Sequence, residues 1–383
     1  VADTIQTTFG VAPWITGLAT STVVALVILG GITRIGRVTS ILAPTMAAVY
    51  VLGALYVILV NLDQLVPSFL LIFSEAFSPS AGVAGTGVGA FLVTLMWGVR
   101  RGLFSNEAGQ GSAPIAHAAA KTDEPVSEGV VALLEPFIDT IVICTMTAMV
   151  IIMTGVWDDR HPTQIALTGG DLSYVELTEG GRYHAVAAPA EITLDDGRQA
   201  VDVVHTPLLA WHEVAVEELY VDEAQTIPFV GTIRSADGVA VGQDGTEYSA
   251  LYGPAVESGA PLTMLGFERG LPGTFGQYVV LISVLLFAVS TAISWSYYGD
   301  RCAYYLFGTR AIIPYKMVFV GMHFLGAVVP LAVVWALGDV ALSIVIIPNL
   351  IALLLLSGKV KEMTDSYFER KPWETQPHGQ HRP

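Results

Sequence analysis

The sequence predicts an all-α polytopic membrane protein that carries a small β-rich insertion. Three observations lead there. Of the 383 residues, 53% are hydrophobic and 14% charged, whereas a soluble domain carries about 25% charged residues. Mean hydropathy is +0.59, and several apolar runs reach the roughly 20 residues that cross a bilayer as a helix. Charge is also segregated. Residues 157–271 hold 19 acidic and 5 basic residues, a net of −14, while the remaining 15 acidic and 13 basic residues nearly cancel. An ordinary soluble enzyme and a disordered chain are both excluded by this composition.

The spans come first in chain order, at about 13–33, 41–62, 87–120, 127–155, 274–298, 312–335 and 339–357. The stretch VPSFLLIFSEAF at 67–78 is too short to span and reads as interfacial or re-entrant. Val1 is not a start methionine, and the opening VADTIQTTFG reads like a cut inside a larger protein. Basic residues follow alternate spans: Arg34 and Arg37, then Lys121, then Arg301, Arg310 and Lys316, then Lys359, Lys361, Arg370 and Lys371. The intervening loops 62–86 and 336–339 have no Lys or Arg. The basic side is cytoplasmic by the positive-inside rule, which puts 157–271 outside and the C-terminus inside.

The acidic insert reads as β. SYVELTEG, EVAVEELYV and IPFVGTIR are rich in β-branched and aromatic residues, and Asp196-Gly197, Asp237-Gly238 and Asp244-Gly245 punctuate them. Its charge disfavours nucleic acid and anionic lipid as partners. The expected organisation is a membrane domain at 1–156, the insert at 157–271, a second membrane segment at 272–358 and a cytoplasmic tail at 359–383. Two cysteines, Cys144 and Cys302, give neither a disulfide framework nor a zinc spacing.

The third span carries the strongest signal. TGVGAFLVTLMWGVRRGLFSNEAGQGSAPIAHAAAK begins as an apolar helix to about Val99, then meets Arg100, Arg101, Gly102, Asn106, Glu107, Gly109 and Gly111. A second half-helix is expected from Ser112, as N-cap, to Lys121. An unwound linker at membrane depth survives only inside protein or beside water. Free amides, free carbonyls and a half-helix N-terminus are what discontinuous helices use to hold small zwitterions and Na⁺. The alternative is a bent helix whose glycines permit close packing. A carboxylate at Glu107 needs a partner, and Arg100 and Arg101 are the nearest candidates; gating and a structural pair are both open. His117 and Cys144 are expected in the core.

GLFSNEAGQGSAPIAHAAA, then PFIDTIVICTMTA at 136–148, then STAISWSYYGDRCAYYLFG at 290–308, resemble the alanine/glycine:cation symporter family, the sodium:alanine symporters. GGITRIGRV and IPNLIALLLLSG match as well. The resemblance implies a leucine-transporter-type fold of two inverted five-helix repeats. Here the seven spans would be core helices four to ten, lacking core helices one to three and so much of the coordination, and the fragment alone is not expected to transport. It further implies Na⁺-coupled symport of alanine or glycine by alternating access in a prokaryotic inner membrane, with sodium as coupling ion, no organic cofactor and no catalysis. The missing N-terminal repeat would be its structural partner. A channel or sensor with an extracytoplasmic ligand domain is the alternative.

Within that frame the substrate candidates are Phe104, Ser105 and Asn106 in the broken span, with Thr291 and Trp295 one turn apart on the fifth. A hydroxyl beside an indole suits a small zwitterion. Ser290 and Thr291 are the sodium candidates. Glu107 and Asp139 are candidates for gating or coupling. Plain alternatives stay open: back-bonding within the helix for the hydroxyls and an interfacial belt for Trp295, Tyr297 and Tyr298.

Overall fold

The computed structural model describes residues 1–77, 88–107, 109–168, 172–179, 183–212, 214–273, 275–329 and 331–375. The chain opens with α1 (Ala2–Phe9), which ends at Gly10 in a left-handed turn. Helix α2 (Pro13–Ile28) starts with proline at its first position, where the fixed φ suits a helix and the missing N–H costs nothing. Then come α3 (Ile32–Val60), α4 (Leu62–Phe77), α5 (Val88–Ser105) and α6 (Ala113–His117). Helices α7 (Pro125–Ala132) and α8 (Leu134–Pro136), a π-helical turn Phe137–Ile143 and α9 (Cys144–Thr154) form one apolar rod, Pro125–Thr154.

After the strands described below follow α10 (Gly259–Gly270), α11 (Phe275–Phe307), α12 (Ile312–Val328), α13 (Leu331–Arg370) and α14 (Pro372–Thr375). Among the described residues, five rods are long and apolar enough to cross a membrane. They are Ile32–Val60, Pro125–Thr154, Phe275–Phe307, Thr309–Val328 and Leu337–Glu374, with Pro13–Ile28 and Leu62–Ser74 as shorter apolar helices.

Several expected boundaries move. Arg34 and Arg37 lie in the first turns of α3 rather than in a loop. Residues 67–77 belong to the sixteen-residue α4; the rest of the expected loop 62–86 lies outside the described residues. Residues 336–339 are inside α13, which is 40 residues long and runs on past Lys359 and Lys361 to Arg370, about 60 Å in all at 1.5 Å per residue. One glycine, Gly338, does not stop a helix rich in Leu, Val and Ala. The break falls instead at Val329, whose extended backbone ends α12. The polar tail 376–383 lies outside the described residues.

Two interior clusters join the rods. Phe267 on α10 is fully buried among Ala54 and Val57 of α3, Val150 of α9 and Val280 of α11. A Cβ on Gly276 would fall 2.1 Å from the Phe267 carbonyl oxygen, so this crossing needs glycine. Val24 and Ile28 of α2, Ile35 of α3 and Ile293 of α11 form the second.

Ten strands lie between α9 and α10. They are β1 (Arg160–Ala166), β2 (Leu172–Leu177), β3 (Tyr183–Ala185), β4 (Glu191–Leu194), β5 (Pro207–Trp211), β6 (Val214–Ala215), β7 (Gly231–Arg234), β8 (Val239–Gly242), β9 (Glu247–Tyr248) and β10 (Ala250–Val256). Antiparallel β1 and β10 form a two-stranded stem, with Arg160 opposite Val256. Two four-stranded sheets follow the orders β3-β2-β5-β6 and β4-β7-β8-β9. Ile165, Leu209, Leu219, Phe229, Ile233 and Leu251 are buried in one cluster that draws on the stem and on both four-stranded sheets. At the foot of the stem Arg269 donates to the Thr154 carbonyl, 3.0 Å, and pairs with Asp159, tying entry to exit.

The sequence-expected β region ends early, since α10 occupies 259–270. EVAVEELYV forms a continuous strand only at β6 and IPFVGTIR only from Gly231, while Tyr220 of the first makes antiparallel bridges to Pro228 of the second and to Tyr252. Gly197, Gly238 and Gly245 all adopt left-handed φ, as their turn pairs require.

Asp222 closes a loop here. It accepts from the Thr226 hydroxyl at 2.7 Å, the Ile227 amide at 2.8 Å and the Thr226 amide at 3.0 Å. The Thr226 hydroxyl first, then the Ile227 amide, hold its carboxyl below the usual range. A depressed carboxyl stabilises above its unfolded pKa, about 3.9, and that contribution is lost as pH falls through the folded value. Hydrogen exchange of the amides of residues 222–227, corrected for intrinsic rates, should therefore accelerate below about pH 4. Asp222→Ala should exchange fast at every pH; the same acid dependence in the variant would refute this origin.

Candidate functional site

The third span is interrupted, later and more tightly than its glycines suggest. Helix α5 continues through Arg100, Arg101 and Gly102 to Ser105. The side chain of Arg100 lies outside the described atoms. The break then occupies 106–112, where Glu107 (φ 50), Gly109 (φ 75) and Gly111 (φ 79) are left-handed. Glu107 has no glycine's freedom, so its conformation is held by its surroundings.

The second half-helix is shorter than expected. Helix α6 has five residues, Ala113–His117, not a run to Lys121. Ser112 stands at its start but makes no side-chain cap. Its hydroxyl donates instead to Glu107 Oε2 at 2.5 Å, because the left-handed turn brings that carboxylate back over the break. Five residues align too few peptide dipoles to form an anion site of their own.

Each side of the break is tied to a different neighbour. On the α5 side, Ser105 Oγ donates to Asp139 Oδ2. Asn106 Nδ2 donates to the Gly102 carbonyl and to Thr140 Oγ1, both at 2.9 Å, and Thr140 Oγ1 donates to Asn106 Oδ1 at 3.1 Å. Asp139 and Thr140 sit in the π-helical turn Phe137–Ile143, a feature that recurs at functional positions in helices. On the far side, the Tyr298 hydroxyl of α11 lies beside the Glu107 carboxylate. Tyr298 in turn meets Trp295 edge-on, with ring centroids 5.8 Å apart. The glycines face α13: a Cβ on Gly111 would sit 2.9 Å from Asn349 Oδ1.

The structure thus joins Glu107 to Trp295 through Tyr298, and joins Ser105 and Asn106 to Asp139 and Thr140. Phe104 is exposed at 39%. Thr291 is half-buried, one turn from Trp295 on α11, and Ser290 is buried. Tyr298, read from sequence as an interfacial ring, is a partner of the break.

His117 and Cys144 are not core. Cys144 is exposed. His117 is 33% exposed, donates from Nδ1 to Glu128 at 2.8 Å and lies 3.8 Å from Glu135. Four further residues gave only faint signals. Asn349 is an isolated polar residue in an apolar run, and Thr140 follows Asp139 in another. Asp300 and Lys316 are each 4% exposed and pair at 3.4 Å, and Lys316 also donates to the Ile28 carbonyl at 2.9 Å. Lys316, counted above with a basic loop, is therefore an interior residue that caps the end of α2.

The sequence profile of the sodium:alanine symporter family matches residues 1–182 and 235–381. The internal unmatched part, 183–234, lies among the strands. The sodium/alanine symporter AgcS of Methanococcus maripaludis is 34% identical over 370 residues, 96% of this chain and 60% of that protein. The sodium/proton-dependent alanine carrier protein of Bacillus sp. strain PS3 is 26% identical over 383 residues, 98% of this chain and 65% of that protein. The probable sodium/glutamine symporter GlnT of Bacillus subtilis is 38% identical over 173 residues, 45% of this chain and 35% of that protein. The chain spans 60% of the length of the first of these relatives.

Proposed function

The chain belongs to the sodium:alanine symporter family, and from that premise we propose that the full-length protein is a cation-coupled secondary transporter of a small neutral amino acid, alanine or glycine, with Na⁺ as the coupling ion. The observation that carries this reading is the break at 106–112. Glu107, Gly109 and Gly111 are left-handed, which takes backbone groups out of the helical ladder between α5 and α6. Such groups are tolerated at membrane depth only where they line a cavity or face protein. Secondary transporters of the inverted-repeat class use them there to hold substrate and ion. The fold proposed is accordingly the leucine-transporter type, with the break in core helix six and α11 as core helix eight.

In this reading Trp295 and Thr291 border the substrate, Phe104 closes it, and Ser105 and Asn106 shape the α5 wall while bonded to Asp139 and Thr140. Ser290 and Thr291 serve the ion. Glu107 and Asp139 carry the gate, since each ties one end of the break to a separate helix. The strands stand outside the cell and the C-terminus inside. The Na⁺ gradient and membrane potential drive accumulation, the latter at about 2.3 kcal/mol per charge per 100 mV.

The test is uptake by the full-length gene product in proteoliposomes. Labelled alanine or glycine should accumulate only under an inward Na⁺ gradient. Equal uptake with every cation gradient dissipated would reject symport.

A further inference from the structure

Gln110 stands in the break between the two left-handed glycines and takes no part in the contacts described above. Its residue is 5% exposed, and its amide oxygen Oε1 is shut off from solvent with no hydrogen-bond partner among the described residues. Buried hydroxyls such as Ser21 and Ser283, also without partners, can rotate toward a carbonyl of their own helix. An amide oxygen cannot, because it only accepts. Leaving a buried acceptor unmet costs about 1–3 kcal/mol, so this oxygen is a place where a ligand is rewarded.

The position is fixed rather than loose. A Cβ on Gly109 would touch Leu350 at 3.4 Å, and one on Gly111 would sit 2.9 Å from Asn349 Oδ1. The backbone on both sides of Gln110 is therefore held against α13. The same contact brings a second neutral amide oxygen, that of Asn349, to the break. Neutral oxygens in an apolar span suit a cation: they replace its hydration shell without a second formal charge.

We propose that Gln110 Oε1 is a ligand of the cationic centre that the protein binds, with Asn349 Oδ1 presented to the same break. The chemistry is that of a compact monovalent positive charge, either the bare coupling cation or the ammonium group of the amino acid. This rests on the transporter reading, and deepens it by assigning a binding residue.

The experiment uses full-length protein in proteoliposomes and two variants. Gln110→Met keeps the length and removes the oxygen; Gln110→Glu keeps an oxygen and adds charge. In Gln110→Met a rise of about tenfold or more in the Na⁺ concentration for half-maximal uptake, at unchanged alanine KM, assigns the oxygen to the bare cation. A like rise in alanine KM at unchanged Na⁺ dependence assigns it to the ammonium. Gln110→Glu should restore or tighten whichever constant moved. Should Gln110→Met fail to fold, Gln110→Glu decides alone, by tightening one constant. Both constants within about twofold of wild type in the folded variants overturn the proposal. Wild-type protein that shows no Na⁺-driven uptake would instead fail the transporter reading itself, so the two failures are distinguishable.

Discussion

Replacing Lys316 by methionine should destabilise the protein by about 3 kcal/mol or more, toward the range for breaking a buried ion pair. Lys316 and Asp300 are each 4% exposed. Removing the ammonium strands the Asp300 carboxylate and takes one of two donors from the Ile28 carbonyl, which accepts from Nζ at 2.9 Å and from the Gly31 amide at 3.1 Å. Arg301 lies 3.3 Å from the other Asp300 oxygen with a side chain 40% exposed, so it offsets part of the loss. Asp300→Leu should cost a similar amount by leaving a buried cation. The double variant should melt above either single one, because an apolar pair of similar size avoids the desolvation of both charges. Thermal melting in detergent measures this order. A double variant less stable than both singles would show that the pair is not the unit of stabilisation.

That pair also shows which parts of the molecule local sequence can reveal. Asp300 and Lys316 flank a short connection, and from the chain alone both resemble cytoplasmic charges. Their burial follows from α2 and α12 packing side by side, which no local pattern records. The interruption of the third span was legible, because Gly109 and Gly111 are adjacent to a charged residue in an apolar run. Its limits were not. Arg100, Arg101 and Gly102 look like a breach, yet polarity does not end a helix whose backbone bonds remain intact, and one glycine costs only about 1 kcal/mol.

Ser112 has the chemistry of a cap, but Glu107 competes for its hydroxyl once the turn closes. In the acidic segment the turn glycines were legible because left-handed φ is a local demand. The pairing of β1 with β10 was not, since it joins residues from opposite ends of that segment. Thr140, Tyr298 and Asn349 were hidden for the same reason: each reaches the break from a different helix.

Asp139→Ala should lower the initial rate of uptake by about tenfold or more, a larger effect on transport than any other single change outside the substrate residues. A hydrogen bond to a charged group contributes about 1.5–3 kcal/mol, and 1.4 kcal/mol is a factor of ten. Ser105 donates to Asp139, and Asn106 and Thr140 exchange hydrogen bonds in the next position. Those contacts are the described side-chain link between the end of α5 and the π-helical turn. Without them the wall of the break is free to drift, and the cost appears as a smaller fraction of binding-competent protein. Thr140→Val removes only neutral bonds and should cost less, about severalfold at 0.5–1.5 kcal/mol. Asp139→Asn keeps an acceptor for Ser105 and should fall between wild type and Asp139→Ala. The order of the three rates is the measurement. Were Asp139→Ala to transport as wild type does, with protein yield unchanged, the tie between α5 and the π-helical turn would be a packing contact and the gate would have to lie at Glu107 and Tyr298.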